Sequence, residues 1–538
     1  MTARRQTLWA LALLGLALAC RLPHLDAFLN IDAGAEWFRR TEAFWAALRA
    51  GRFEDTYQVH PGVTLMWLSG LSLQAGPGLG ATPTPAMVAA GALPVALVTS
   101  LLAPGTFLLW RRLVGPNGTF AGLVAGGLLA TEPFLVGHSR TMHLDALLTT
   151  FAWLGVLLAV ISLKSNSFRY AVAAGIALGL AVLTKVAGGA VALGVGLVGG
   201  VWLLRGPGRR RRLGVLGVLV ASALLTTLVV WPALWVEPMA VLTRLVEGVT
   251  GQVDRGHRVF FDGHYYAADP GAGYYLAVVL ARLSPEVGVL ALLGLVGLLW
   301  RPSGRRSAIL LILLAFSVLL VAQLTAAKKI DRYVLPFFPL LCLVAAHGVE
   351  AVLRRICCSR LWRRQPPGPG ETAAPRPLTY AGLALLLFVP RAVRLVDVHP
   401  HPIAWTQDWP GRPAGRAVTL GFGEGLREAA EWIAQDAAGR RPRVFTGMYR
   451  PCLQPWLASH EREMRDAEYI LRYISVIQRG FRSQEYRRTL DGLLHEVVID
   501  GRVFAEIHAG PTYRGPTGRG LSLPWPPPPK PPETSASR

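Results

Sequence analysis

Charge is scarce in this sequence. Only 16% of its 538 residues are Asp, Glu, Lys or Arg, while 52% are hydrophobic. A soluble chain of this length needs more charge to cover its surface, so the composition excludes an ordinary soluble enzyme and points to a bilayer. Acids are scarcer than bases, 33 against 55, for a formal net charge of +22. That excess does not read as a nucleic-acid face. The bases fall in short clusters between apolar runs, and no RNA- or DNA-binding module is present. Cysteines are few as well. Cys20 and Cys342 sit in apolar runs, Cys357 and Cys358 in a basic loop, and Cys452 stands alone. Their spacing excludes a disulfide framework and a zinc site. A small-x-small cleavage site is missing after the first apolar stretch, Leu8 to Cys20, so that stretch reads as an uncleaved helix rather than a signal peptide.

What is abundant is apolar runs of spanning length. They fall near 7–22, 86–110, 118–136, 145–163, 170–185, 187–204, 213–235, 274–300, 307–326, 333–353 and 378–395, about eleven in all. Lys185 divides the fifth from the sixth and marks a short turn at a membrane surface. Basic clusters occur in every second loop: Arg4 and Arg5, Arg111 and Arg112, Lys164 and Arg169, Arg209 to Arg212, Arg301 with Arg305 and Arg306, and Arg354 to Arg364. The positive-inside rule places these loops and the N-terminus in the cytoplasm of an inner (cell) membrane protein. The intervening segments then face outward: 23–85, the corner at 137–144, the Lys185 turn, 236–273, the turn at 328–332, and everything after about 396.

The outward segments carry structure of their own. Residues 34–50 place Trp37, Phe44, Trp45 and Leu48 on one helical stripe, which suits an amphipathic helix on the membrane surface or packed on a soluble domain. Residues 421–437 open with glycines and continue as a soluble helix. RVFTGMY, AEYILRYI, HEVVID and VFAEIHA read as strands. The expected fold is therefore an all-α polytopic membrane unit over 1–395, with its first outer loop at 23–85, and a small extracytoplasmic α/β domain over 396–510. The Pro-rich segment 511–538 cannot bury a core and is expected to be disordered.

Ionisable groups near membrane depth are costly and mark function. Those here are Asp32, His60, Arg140, His143, Asp145, Lys185 and Arg332, with Tyr333 beside the last. The topology puts all of them at the outer face. Each also has a plain structural use: Asp32 as a helix N-cap, Asp145 as partner of Arg140, Lys185 and Arg332 as snorkelling anchors, His60 as a turn residue before Pro61. Together they make a chemistry. Moving a sugar off a phosphate needs a carboxylate to take the proton of the attacking hydroxyl and cations where charge grows on the leaving phosphate. Carboxylates also favour the oxocarbenium-like sugar centre. Nucleotide sugars are cytoplasmic, so an outward site implies a donor carried on a membrane lipid.

At HPGVTLMW, SRTMHLDALLTTF, GIALGLAVLTK and DRYVLPFFPLL, spanning about residues 20–350, the chain resembles the polyprenol-phosphate-sugar glycosyltransferases of the C structural superfamily (GT-C). That group contains the protein O-mannosyltransferases and the aminoarabinose transferase for lipid A. The segment GFGEGL at 421–426 is similar to a GWGEGL-type segment of bacterial members. The resemblance implies an inverting transfer with Asp32 as base, Asp145 in support, and Arg140, Lys185 and Arg332 around the donor phosphate. It implies a polyprenyl-phosphate sugar as donor and a lipid, glycan or protein as acceptor, and it leaves a divalent metal open. Relatives often carry an Asp-Glu pair in the first loop. Here Ala33 follows Asp32 and the next acid is Glu36, so either Asp32 acts alone or Glu36 supplies the second carboxylate.

Other readings share parts of this evidence: a ligase moving a preassembled glycan from a lipid pyrophosphate, a transporter or lipid flippase, and a degenerate member serving as a partner subunit. Transporters commonly show internal repeats and interrupted helices at midplane. The sequence shows no clear repeat, and its charged groups gather at the outer edge.

Overall fold

The computed structural model describes residues 2–58, 61–204, 208–254, 258–300, 304–358, 377–409, 413–457, 460–478 and 492–516. His60 lies outside them. Long apolar helices dominate the first part of the chain. Among the described residues six are long and apolar enough to cross a membrane, Pro85–Val114, Asp145–Ser165, Ala187–Leu204, Arg209–Val230, Gly304–Thr325 and Asp331–Leu353, and up to eight if each of two bent pairs is one span. Among the described residues this is fewer than the roughly eleven read from hydropathy, for reasons of length and charge. Helix Phe168–Thr184 has 17 residues, helix Ala3–Arg21 carries Arg4, Arg5 and Arg21, and helix Pro377–Asp397 carries Arg391, Arg394 and Asp397. Lys185 does divide two helices, in extended conformation between Thr184 and Ala187. Helix Arg209–Val230 exposes Leu224, Leu225, Leu228 and Val229, an outward apolar face that a bilayer would cover.

The bent pairs break at polar residues. Pro116–Thr131 and Pro133–Ser139 meet at 62° around Glu132, and Tyr274–Arg282 and Pro285–Leu298 meet at 117°. Pro133 and Pro285 open the second helix of each pair, where proline's missing N–H costs no hydrogen bond. One buried network joins the two breaks. Glu132 accepts from the backbone N–H and hydroxyl of Ser284, both at 3.0 Å, and from Arg391 at 2.8 Å. Arg391 also donates to Glu286 at 3.0 Å, which Arg394 holds at 2.8 Å.

In the stripe of 34–50, Trp37 and Phe44 are buried and Trp45 and Leu48 are half-buried against the rest of the protein. A π-helical turn, Ala33–Trp37, runs into helix Phe38–Arg49, and Phe38, Thr41, Phe44 and Ala47 face inward. The Trp45 indole donates to the Met66 carbonyl at 2.9 Å, tying this segment to helix Val63–Ala75.

After residue 396 the chain builds a mixed sheet. Strand Val444–Phe445 runs parallel to Tyr469–Tyr473, which pairs antiparallel with Arg502–Ala509, and that strand pairs antiparallel with Leu493–Ile499. The last two form a hairpin through Asp500 and Gly501, both at positive φ (51° and 69°), the geometry of a tight two-residue turn. RVFTGMY is strand only at its start; Gly447–Tyr449 is a 3-10 turn. Helix Leu426–Asp436 buries Leu426, Ala429, Ala430 and Ile433. Disorder was expected from Pro511, but Tyr513 is buried and its hydroxyl donates to Asp436 at 2.9 Å, because one aromatic ring suffices to anchor the end of the sheet. Residues 517–538 lie outside the described residues.

Candidate active site

Asp32 stands just ahead of the π-helical turn. It does not cap that turn: the Asn30 side chain accepts from the Ala33 N–H at 2.8 Å, leaving the Asp32 carboxylate free for other partners. Those partners come from distant parts of the chain. Arg332 donates to Asp32 Oδ2 at 2.6 Å, and His143 Nε2 lies 2.9 Å from the same oxygen. Arg332 Nε is also 3.0 Å from Asp145 Oδ2, an ion pair without hydrogen-bond alignment. Lys185 closes the group by donating to Asp145 Oδ1 at 2.6 Å, and its ammonium sits 4.0 Å from the centre of the Tyr333 ring. Asp32, His143, Asp145, Lys185, Arg332 and Tyr333 are thus brought together, two carboxylates laced by cations. A cluster of this kind is stable at membrane depth because each charge faces an opposite one.

The helices explain the convergence. Asp145 begins helix Asp145–Ser165, Lys185 occupies the break after Thr184, and Arg332 lies in the 3-10 turn Asp331–Phe337 before helix Phe338–Cys358. Each is at an element end, where the side chain points past the backbone of its neighbours. Burial alone would raise the Asp32 carboxyl, but the Arg332 guanidinium and the hydrogen bond to His143 outweigh it and hold the group well below the usual carboxylate range.

Two expected residues are placed elsewhere. Arg140 donates to the carbonyls of Pro23 and His24, the latter at 3.2 Å, where it fixes the entry to the first loop. Glu36 pairs with Arg39 at 2.8 Å and Arg40 at 3.1 Å along its own helix face, one turn away from Asp32. Asp32 and Asp145 are held by Arg332 and Lys185, and the two ring nitrogens of His143 face the two carboxylates. Among the described residues no group of three or more His, Cys, Asp or Glu side chains is disposed to hold a metal ion.

The C-terminal domain completes the site. The Phe422 ring lies 4.7 Å from the Arg332 guanidinium, and the Ile31 N–H donates to the Phe422 carbonyl at 2.9 Å. Glu424 holds this loop from within, accepting from the N–H of Phe422, from that of Gly423 at 2.8 Å and from the Tyr473 hydroxyl at 2.8 Å. Gly423 has φ 134°, and a Cβ there would meet the Leu29 carbonyl oxygen at 2.2 Å, so only glycine lets the loop approach the Asp32 segment. Between the two parts lies a cavity of about 240 Å³ lined by Asp32, His138, Arg332, Phe422 and Tyr449 among others.

Sequence reasoning missed Arg282 and the reach of Phe422. Arg282 is buried beside the second helix break and donates to Asp331 at 2.7 Å, whose other oxygen accepts the Arg332 N–H at 2.7 Å. The signal for Arg282 was present: an arginine at the end of an apolar run, just before Ser284-Pro285. For Phe422 the GFGEGL motif was visible, but nothing in the sequence points it at Arg332.

The GT-C resemblance of the four motifs agrees with a family match over part of the chain and with the fold of a similar solved structure. Residues 87–235 match the dolichyl-phosphate-mannose-protein mannosyltransferase family. The structure is similar to that of ArnT from Cupriavidus metallidurans bound to undecaprenyl phosphate, with a TM-score of 0.51 at 17% identity over 93% of this chain and 98% of that one. The Archaeoglobus fulgidus oligosaccharyltransferase tethered with an acceptor peptide gives 0.46 at 15% identity over 85% and 64%. No curated protein matches by sequence. At these identities the ArnT likeness establishes the fold, and the archaeal likeness is too slight to carry an argument.

Proposed function

We propose that this chain moves a sugar from a polyprenyl-phosphate donor to an acceptor hydroxyl at the outer face of the cytoplasmic membrane, with inversion and with Asp32 as general base. The observation that carries the reading is the shared Arg332, which holds Asp32 and Asp145 together at the edge of a cavity. The acceptor oxygen attacks the anomeric carbon as the bond to phosphate oxygen breaks, and Asp32 takes the hydroxyl proton. The departing lipid phosphate carries the electron pair, and Arg332 and Lys185 stabilise it. Asp145 holds both cations in place. Binding of the donor phosphate draws Arg332 toward it and loosens its hold on Asp32, which makes that carboxylate more basic when the acceptor arrives.

Support comes from three directions: the family match over 87–235, the similar fold of an ArnT structure that holds undecaprenyl phosphate, and the cavity size. At about 240 Å³ the cavity is smaller than the roughly 300–1,000 Å³ of ordinary ligand sites, which suits one sugar ring rather than a preassembled glycan. The test is reconstitution in proteoliposomes with candidate polyprenyl-phosphate sugars, measuring release of free lipid phosphate. Wild type releases it, and Asp32→Asn falls by about 10²–10⁴-fold. Turnover of that variant at the wild-type rate would sink the base assignment. Movement of intact donor between leaflets, with no lipid phosphate released, would favour the flippase reading instead.

A further inference from the structure

Most polar groups around the cavity have their hydrogen bonds committed. Asp32 is held by Arg332 and His143, Glu424 by its own loop and Tyr473, and Arg282 by Asp331. The Tyr449 hydroxyl is bonded to Ser475. His138 differs. It lines the cavity, only 2% of its surface is exposed, and its Nδ1 is enclosed with no hydrogen-bond partner. Its ring makes no hydrogen bond to any of the described residues. With Nδ1 enclosed, the Nε2 edge, which spends no hydrogen bond on the described residues, is the one that a molecule in the cavity can reach.

The surroundings define that ligand's chemistry. The imidazole packs edge-on against Phe134 with ring centres 4.7 Å apart, and stands 5.7 Å from Phe422 and 6.3 Å from His143. Aromatic walls suit the C–H face of a sugar ring, and one hydrogen-bonding group among them suits a single hydroxyl. We propose that His138 is a sugar-recognition residue whose imidazole hydrogen-bonds a hydroxyl of the transferred sugar as it sits in the cavity beside Asp32 and Arg332. This rests on the transferase reading and deepens it: selectivity among lipid-phosphate sugars is read in part at the corner preceding Arg140.

The test uses the full-length protein in proteoliposomes with a polyprenyl-phosphate sugar that the wild type consumes and the series of its monodeoxy analogues. His138→Phe keeps a ring and its packing, and His138→Gln keeps hydrogen bonding. His138→Phe is expected to lose roughly 10- to 100-fold in kcat/KM on the parent sugar, with His138→Gln staying within about tenfold of wild type. For one deoxy analogue, the one missing the contacted hydroxyl, wild type and His138→Phe turn over alike. The assignment is overturned if His138→Phe matches wild type on the parent sugar. It is equally overturned if His138→Phe falls by one factor on every donor, or if His138→Gln falls as far as His138→Phe. Should wild type consume none of the donors, the transferase reading fails and this assignment falls with it.

Discussion

Arg332 divides its guanidinium between two carboxylates, donating to Asp32 at 2.6 Å and facing Asp145 at 3.0 Å. A lysine has one point of charge and no fork, so it can serve one acid at a time. Arg332→Lys is therefore expected to fold but to lose at least about tenfold in kcat/KM, measured as lipid-phosphate release. A pH profile gives a second check. Because Arg332 and His143 hold the Asp32 carboxyl well below the usual range, the free enzyme keeps it ionised down to acid pH. Its ionised form favours the fold above its unfolded value of about 3.9, and that contribution is lost as pH falls through the lower folded value. The kcat/KM profile, which reports the free enzyme, then shows no acid limb from Asp32 between about pH 5 and 8. An acid limb in that window that moves with Asp32→Glu would contradict the pairing. At this scale the sequence was informative. Asp32, His143, Asp145, Lys185, Arg332 and Tyr333 all stood out as polar groups in apolar surroundings, and all of them meet. Arg140 stood out for the same reason, yet it is satisfied by the carbonyls of Pro23 and His24, and Glu36, raised by the family resemblance, pairs with Arg39 and Arg40. Polarity in an apolar context identifies a costly group but not the direction in which it finds its partner.

The broken helix pairs depend on a network that sequence reading passed over. Glu132 and Arg391 are fully buried, and removing one partner of such a pair leaves an uncompensated charge. Glu132→Leu is expected to destabilise the protein by about 3–5 kcal/mol, read as a lower unfolding temperature in detergent. The double change Glu132→Leu with Arg391→Met should recover most of that loss, since Glu286 keeps Arg394 at 2.8 Å. A double variant less stable than Glu132→Leu alone would mean that Arg391 matters chiefly through Thr131 and the Leu128 carbonyl. A carboxylate in ATEPFLV announces a break; its partner, 259 residues away, has no local signature. The same holds for 34–50, where the apolar stripe was legible and the surface it buries against was not. Lys185 was easier, because a lone cation between two apolar runs leaves only a turn.

Over the whole molecule, the small α/β domain rests on the helical unit through Phe422, and this contact sets a testable dependence. Cation–π contacts contribute about 0.5–2 kcal/mol, so Phe422→Ala is expected to lower kcat/KM between about 2- and 30-fold. Unfolding temperature should change little, because Glu424, Gly423 and Tyr473 keep the loop in place. An unchanged rate would show that Arg332 needs no cover. The contact also sets the outcome of a truncation at about residue 396, which should abolish turnover on every acceptor. Hydropathy made the membrane class legible, and short apolar runs located the strands, with RVFTGMY strand only at its start. The seat of one part on the other was not legible, since it depends on Gly423 passing within reach of the Leu29 carbonyl.

That seat has a consequence for how the protein is made. In chain order Asp32 precedes Phe422 by 390 residues, with nearly the whole helical unit between them. A half-made chain already in the membrane carries the carboxylate without the residues that enclose it. On the proposed reading, competence is acquired only when this later part of the chain docks, and a product that stops short of Phe422 is expected to be inert toward a lipid-linked sugar.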